Sequence, residues 1–144
     1  MNQNLQILIG PFGRFIRKEN GLIYYYKPHG ITMDKSMVVT CLDKIRELDD
    51  SGNARLIVIQ GFSVEYTFDA QYTILTTDLL AGLAYVTQNN AQYLIANLIQ
   101  DIGKTLKAKF PIGIFANIRD AETLLLQTSV KTLATNHQAM VNPL

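Results

Sequence analysis

The chain of 144 residues is 48% apolar and 17% charged, with 13 Lys plus Arg against 12 Asp plus Glu for a formal net charge of +1. That length suits one ordinary domain with enough apolar content for a core, which excludes a disordered chain and leaves no room for two full domains. The near-neutral charge removes the basic footprint of a nucleic-acid- or anionic-membrane-binding protein, the single Cys41 allows no internal disulfide, and His29 and His137 are too far apart in sequence to suggest a metal-ligand cluster.

Residues 1–11 read as an N-terminal extension. Residues 12–17 and 22–27 are rich in aromatic and β-branched side chains on either side of Glu19-Asn20-Gly21, the pattern of a β-hairpin. Pro28-His29-Gly30 ends the second strand, and Thr32 is placed to cap a helix whose positive end Asp34 complements. From there Met37, Val38, Cys41, Leu42, Ile45 and Leu48 recur at helical spacing on one face. After the turn cluster at residues 49–53, the aliphatic run at 55–60 reads as a strand covered on both faces, hence a largely parallel, buried sheet. A second helix is expected over 68–80, with Thr67 before it and Gly82 to stop it, followed by a short strand at 83–87. A third helix carries Leu94, Ile95, Leu98, Ile99, Ile102 and Leu106 in register and ends among Lys104, Lys107 and Lys109. Pro111 forbids its continuation, Ile112–Phe115 form another short strand, Asn117 and Asp120 open a last helix, and residues 128–144 read as a polar tail. The expected fold is α/β, a mixed sheet of four to five strands with about four helices in the order ββαβαβαβα. Right-handed crossovers should lay the helices on the sheet. The longest apolar run, residues 79–86, is too short to span a bilayer, and MNQNLQ lacks the basic start of a signal peptide, so a cytoplasmic chain without membrane insertion is expected.

Several stretches together resemble one family. They are Gly21-Leu22-Ile23-Tyr24, Gly30-Ile31-Thr32, the 55–60 strand, Thr67-Phe68-Asp69-Ala70-Gln71, Leu83-Ala84-Tyr85-Val86, Ala96-Asn97-Leu98, and Phe110-Pro111-Ile112-Gly113-Ile114-Phe115 ahead of Asp120-Ala121 and Leu125. This distributed pattern, over about residues 12–127, is similar to the small bacterial STAS-like (SpoIIAA-like) proteins, related in fold to the CRAL-TRIO lipid-binding domain. The resemblance implies a four- or five-stranded sheet backed by helices and a role in regulatory interaction, possible signalling included, rather than chemistry. Better-known STAS domains are switched by phosphorylation of a Ser at the start of the second helix, in an Asp-Ser-Ser-Gly-like motif. Here that stretch reads Tyr66-Thr67-Phe68-Asp69-Ala70, without the Ser pair or the glycine, and Gln60 stands where many relatives end the strand with an acid. Thr67 is the residue that would inherit the phosphorylated position.

The candidate switch or interaction residues are therefore Thr67, Gln60, Ser63, Glu65 and Asp69. Thr67 has a plain structural role open to it as an N-cap, and Asp69 suits a first helical turn. Glu65 lacks such an explanation and could line a cleft at the carboxyl end of the strands. Cys41 falls on an apolar helix face, where a thiol acts as a small hydrophobe. Tyr24, Tyr25 and Tyr26 form either an aromatic-rich strand or, since alternate rings face opposite sides, an exposed interface patch. Asn97 is expected to hydrogen-bond a neighbouring loop. No glycine-rich phosphate loop, nucleophile–base pair or metal set can be assembled, so neither enzymatic activity nor a cofactor is expected. The reading is a regulatory or protein-interaction module that meets another protein and forms a homodimer. The alternative is a domain holding a small apolar ligand or lipid between the sheet and its second or third helix, beside Leu94, Ile95, Leu98 and Ile99.

Overall fold

The computed structural model describes residues 6–127. In chain order they form β1 (Gln6–Gly10), β2 (Gly13–Arg17), β3 (Ile23–Tyr26), β4 (Thr32–Met33), α1 (Lys35–Leu48), β5 (Ala54–Ile59), β6 (Glu65–Tyr66), α2 (Phe68–Leu75), β7 (Leu80–Val86), α3 (Asn90–Thr105), β8 (Ile112–Phe115) and α4 (Ile118–Gln127). Six strands make one mixed sheet in the order β1-β2-β3-β5-β7-β8, and β4 with β6 makes a separate two-stranded ribbon. The first two pairings are antiparallel and the remaining three parallel. The α/β class stands, with one strand more than expected. Residues 6–10, read as an extension, supply it: they pair with β2 across a turn where Gly13 has a φ of 128°. A Cβ at Gly13 would lie 2.4 Å from the Tyr26 carbonyl oxygen, so only glycine fits there.

Each parallel strand lies one step further along the sheet than the last, so successive right-handed crossovers put α1, α2 and α3 on the same face. Ile23, Tyr25, Leu56, Val58, Leu83 and Tyr85 point to that face and pack with Val38, Ile45, Leu75, Ala96 and Ile99. The alternate residues Leu22, Tyr24, Ile57, Ala84 and Val86 point the other way, where Ala121 and Leu125 of α4 cover them. Burial on both faces is why the central strands read as continuous aliphatic runs.

Several boundaries move for identifiable reasons. Asp34, not Thr32, caps α1, its Oδ1 accepting from the Met37 N–H at 2.9 Å. Thr32 is drawn into β4, where it pairs with Glu65. The second helix stops at Leu75, five residues short of the expected end, and Gly82 lies inside β7 rather than at a helix stop. There it sits at a register shift against β5, between Ala54 and Arg55, a place where an extra residue must be absorbed. Along α3, Gln92, Ala96, Ile99 and Gly103 form the buried arc, while Leu94 and Leu98 of the expected apolar face are exposed. The helix packs against the edge strand β8 and leaves those two leucines facing away from the core.

Candidate functional site

The carboxyl ends of β3, β5 and β7 share one edge of the sheet, and the loops that leave them hold one another in place. Gly61 lies so close to the β3–β4 loop that a Cβ there would meet the Pro28 and Lys27 carbonyl oxygens at 2.6 and 2.8 Å. Phe62 donates its backbone N–H to His29 Nδ1 at 2.7 Å, its carbonyl accepts from the Gly30 N–H at 2.7 Å, and its ring stacks on His29 at 4.9 Å. Ser63 follows with a φ of 56°, a left-handed conformation that is strained for a residue with a Cβ. Gln92 reaches from the first turn of α3 to close the arrangement. Its Nε2 donates to the Gly61 carbonyl at 3.1 Å and its Oε1 accepts from the Gln88 N–H at 2.5 Å.

Between this loop and the start of α3 lies an open cleft of about 200 Å³, whose walls include Gln60, Phe62, Ser63, Asn89, Ala91 and Gln92. Two of the sequence candidates, Gln60 and Ser63, meet there. Gln60 is buried and its Oε1 accepts from the Tyr66 hydroxyl at 3.2 Å. Glu65, Thr67 and Asp69 are not part of the cleft wall. Glu65 is exposed on β6, because pairing with Thr32 turns that short strand away from the cleft. Thr67 caps α2: its Oγ1 accepts from the Ala70 N–H at 3.2 Å and donates to Asp69 Oδ1 at 2.6 Å. Asn97 is half-exposed, so water can reach its amide.

The tyrosine run is not an exposed patch. Tyr24 is 0% and Tyr25 3% exposed, and Tyr26 is half-buried, because β3 has covered strands on either side and helices over both faces of the sheet. Tyr24 hydrogen-bonds Glu122 of α4 and accepts from Asn20 Nδ2 at 3.0 Å, and its burial and that carboxylate push its hydroxyl up to about 12. Tyr25 stacks on Phe15 with ring centres 4.2 Å apart and donates its hydroxyl to the Phe12 carbonyl at 2.5 Å.

A second concavity went unforeseen. Between the sheet and helices α1 and α2 lies a pocket of about 30 Å³, apolar on almost all sides, lined among others by Tyr25, Lys27, Cys41, Val58, Tyr66 and Tyr85. Lys27 directly follows β3, and its N–H continues the ladder to the Ile59 carbonyl at 3.1 Å. Strand alternation then points its side chain the same way as Ile23 and Tyr25, into the core. The ammonium lies 4.1 Å from the ring centre of Tyr66 and 5.3 Å from that of Tyr25. Burial brings its pKa down to about 7 and pushes the Cys41 thiol up. Cys41 lies on the apolar face of α1, with Sγ donating to the Tyr25 hydroxyl at 3.5 Å. A lone lysine after an aromatic strand carries one usable signal, its period-two position, and charge argues the other way.

Among the described residues no three His, Cys, Asp or Glu side chains gather as metal ligands, and no helix is long and apolar enough to cross a membrane. Compared with protein-family models, curated proteins and solved structures, the chain finds no match.

Proposed function

We propose that this chain is a cytoplasmic, non-enzymatic regulatory module of the STAS-like kind, read by another protein through the residue 60–66 loop and the start of α2, in a signalling setting. One observation carries the reading: Phe62, Phe68 and Tyr72 are 53%, 67% and 49% exposed on or just after a loop whose backbone is pinned. Aromatic rings presented by a fixed backbone add contact area at little cost in ordering, and aromatic residues are enriched at protein interfaces. Phe68 and Tyr72 are four residues apart on α2, so they share one helix face. The Thr67 hydroxyl lies between loop and helix, and a phosphate on it would meet the free N–H groups of the helix start. A second copy of the chain is a candidate partner for the same surface. The alternative occupant, a small apolar molecule or lipid, is supported less well, since such ligands use pockets of roughly 300 Å³ or more, against about 200 Å³ in the open cleft and about 30 Å³ in the core.

Crosslinking and capture from the native cell tests the reading, comparing the wild type with Phe62→Ser, Phe68→Ser and Thr67→Asp, all checked for unchanged melting. Partner loss in the two Phe variants and a changed partner set in Thr67→Asp is expected. Identical sets in all four would overturn the proposal. Sedimentation at high micromolar concentration decides the homodimer separately.

A further inference from the structure

Two polar side chains that line the core pocket have no hydrogen-bond partner among the described residues: the Lys27 amine and the Tyr85 hydroxyl. They are 7% and 2% exposed. No described carboxylate lies within 4.0 Å of the amine, whose neighbours are the faces of Tyr25 and Tyr66. The other hydroxyls at the pocket are already used, that of Tyr25 on the Phe12 carbonyl and that of Tyr66 on Gln60. Tyr25, Val58 and Tyr85 lie in one row across β3, β5 and β7, and Lys27 follows two residues beyond Tyr25. Amine and phenol therefore approach the pocket from opposite sides of Val58.

Unlike Gln71 Oε1, which is fully enclosed without a partner among the described residues, the amine and the phenol keep a little accessible area, and two such donors lining one apolar pocket define what would complement them. A carboxylate would have to leave water together with the ammonium it pairs with, a double desolvation that an apolar pocket penalises. A carbonyl compound matches atom for atom: an electrophilic carbon for the amine, one oxygen for the phenol, and an apolar remainder for the walls. We propose that the Lys27–Tyr85 pocket captures a small aliphatic aldehyde as an imine of Lys27, with Tyr85 hydrogen-bonded to the carbonyl oxygen.

The neutral Lys27 nitrogen adds to the carbonyl carbon, forming a C–N bond while the π electrons move to oxygen, which takes the Tyr85 proton. The carbinolamine then expels that oxygen as water and the nitrogen gives up its protons, one of which restores the phenol. The net change is amine plus carbonyl to imine plus water, with no redox step. The apolar setting favours the neutral, nucleophilic amine, with its pKa brought down to about 7, and pushes the Tyr85 hydroxyl upward so that it stays a donor. At about 30 Å³ the pocket limits the bound part to two or three heavy atoms. This inference is independent of the loop surface and of any partner protein.

The test treats the full chain at pH 7 with acetaldehyde and sodium cyanoborohydride, which reduces an imine to an ethylamine, and maps ethylation lysine by lysine by mass spectrometry. Lys27 should be ethylated at least about tenfold faster than the exposed Lys35, Lys104, Lys107 and Lys109, with a half-maximal rate near pH 7. Tyr85→Phe should slow Lys27 by about tenfold or more and leave the exposed lysines unchanged. Ethylation of the exposed lysines with Lys27 untouched overturns the proposal in the wild type alone, whatever the variant does. An unchanged Lys27 rate in a folded Tyr85→Phe protein overturns the role of the phenol.

Discussion

The cleft and the smaller core pocket lie at the same end of the sheet and treat their polar groups in opposite ways. In the cleft the buried amides are used up by the protein: Gln92 joins the Gly61 carbonyl to the Gln88 N–H, and Gln60 receives the Tyr66 hydroxyl. In the pocket the amine of Lys27 and the hydroxyl of Tyr85 are as deeply buried and have no such partners among the described residues. Satisfied polar groups hold a backbone in place, which suits a surface that another protein reads. Unsatisfied ones cost stability until something arrives to meet them. The same fold thus sets a loop pinned by satisfied polar groups beside a pocket whose two donors meet no described partner.

The largest effect should come from the cost of burying the amine. Below pH 7 the folded protein holds an ammonium ion in apolar surroundings and above it gives up that proton, whereas the unfolded chain keeps the proton to about pH 10.4. Because the folded pKa of Lys27 is lowered, the unfolded state binds more protons above pH 7 and stability rises with pH there. Lys27→Met should therefore be more stable than the wild type by on the order of 3 kcal/mol at pH 7, the gap narrowing by up to about 1.4 kcal/mol per pH unit. Urea unfolding between about pH 7 and 8.5 measures this below the range in which the Cys41 thiol, raised by burial, works in the opposite direction. A gap that does not change with pH would mean that the amine has a counter-charge, and the contrast between the two concavities would fail.

The opposite sign is expected at the cleft. Gln92→Leu keeps the volume but strands the Gly61 carbonyl and the Gln88 N–H, which should cost about 2 kcal/mol and lower the melting temperature by about 5–8 °C. A calorimetric loss under about 0.5 kcal/mol would show that water replaces both bonds and that the loop is held by Phe62 and His29 alone.

How much of this was legible follows from which forces are local. The aliphatic run of β5, the apolar period of α1 and the stop at Pro111 report on their own neighbourhoods, and the α/β order came from them. Thr67 was readable as a cap for the same reason, and its hydroxyl is engaged as one. The exposure of Leu94 and Leu98 was not readable, because helical spacing says which residues share a face but not how much of that face the edge strand β8 covers. The tyrosines of β3 misled for a related reason: alternation correctly put Tyr24 and Tyr25 on opposite sides, but only the topology puts a helix over each. Gln92 and Lys27 were missed because a polar side chain reads as surface until the fold aims it inward.

The smallest expected effect is the finest check on that aim. Tyr25→Phe removes the donor from the Phe12 carbonyl and the acceptor from Cys41, which should cost about 1.5 kcal/mol. Tyr85→Phe removes a hydroxyl that no described residue meets, and its unfolding free energy should match or exceed that of the wild type, by up to about 1 kcal/mol. Two phenols in one row of the sheet, both buried, would then differ only in whether the protein uses the oxygen. Equal losses at the two positions would mean that ordered water already satisfies Tyr85, and the hydroxyl would no longer be on offer to a ligand.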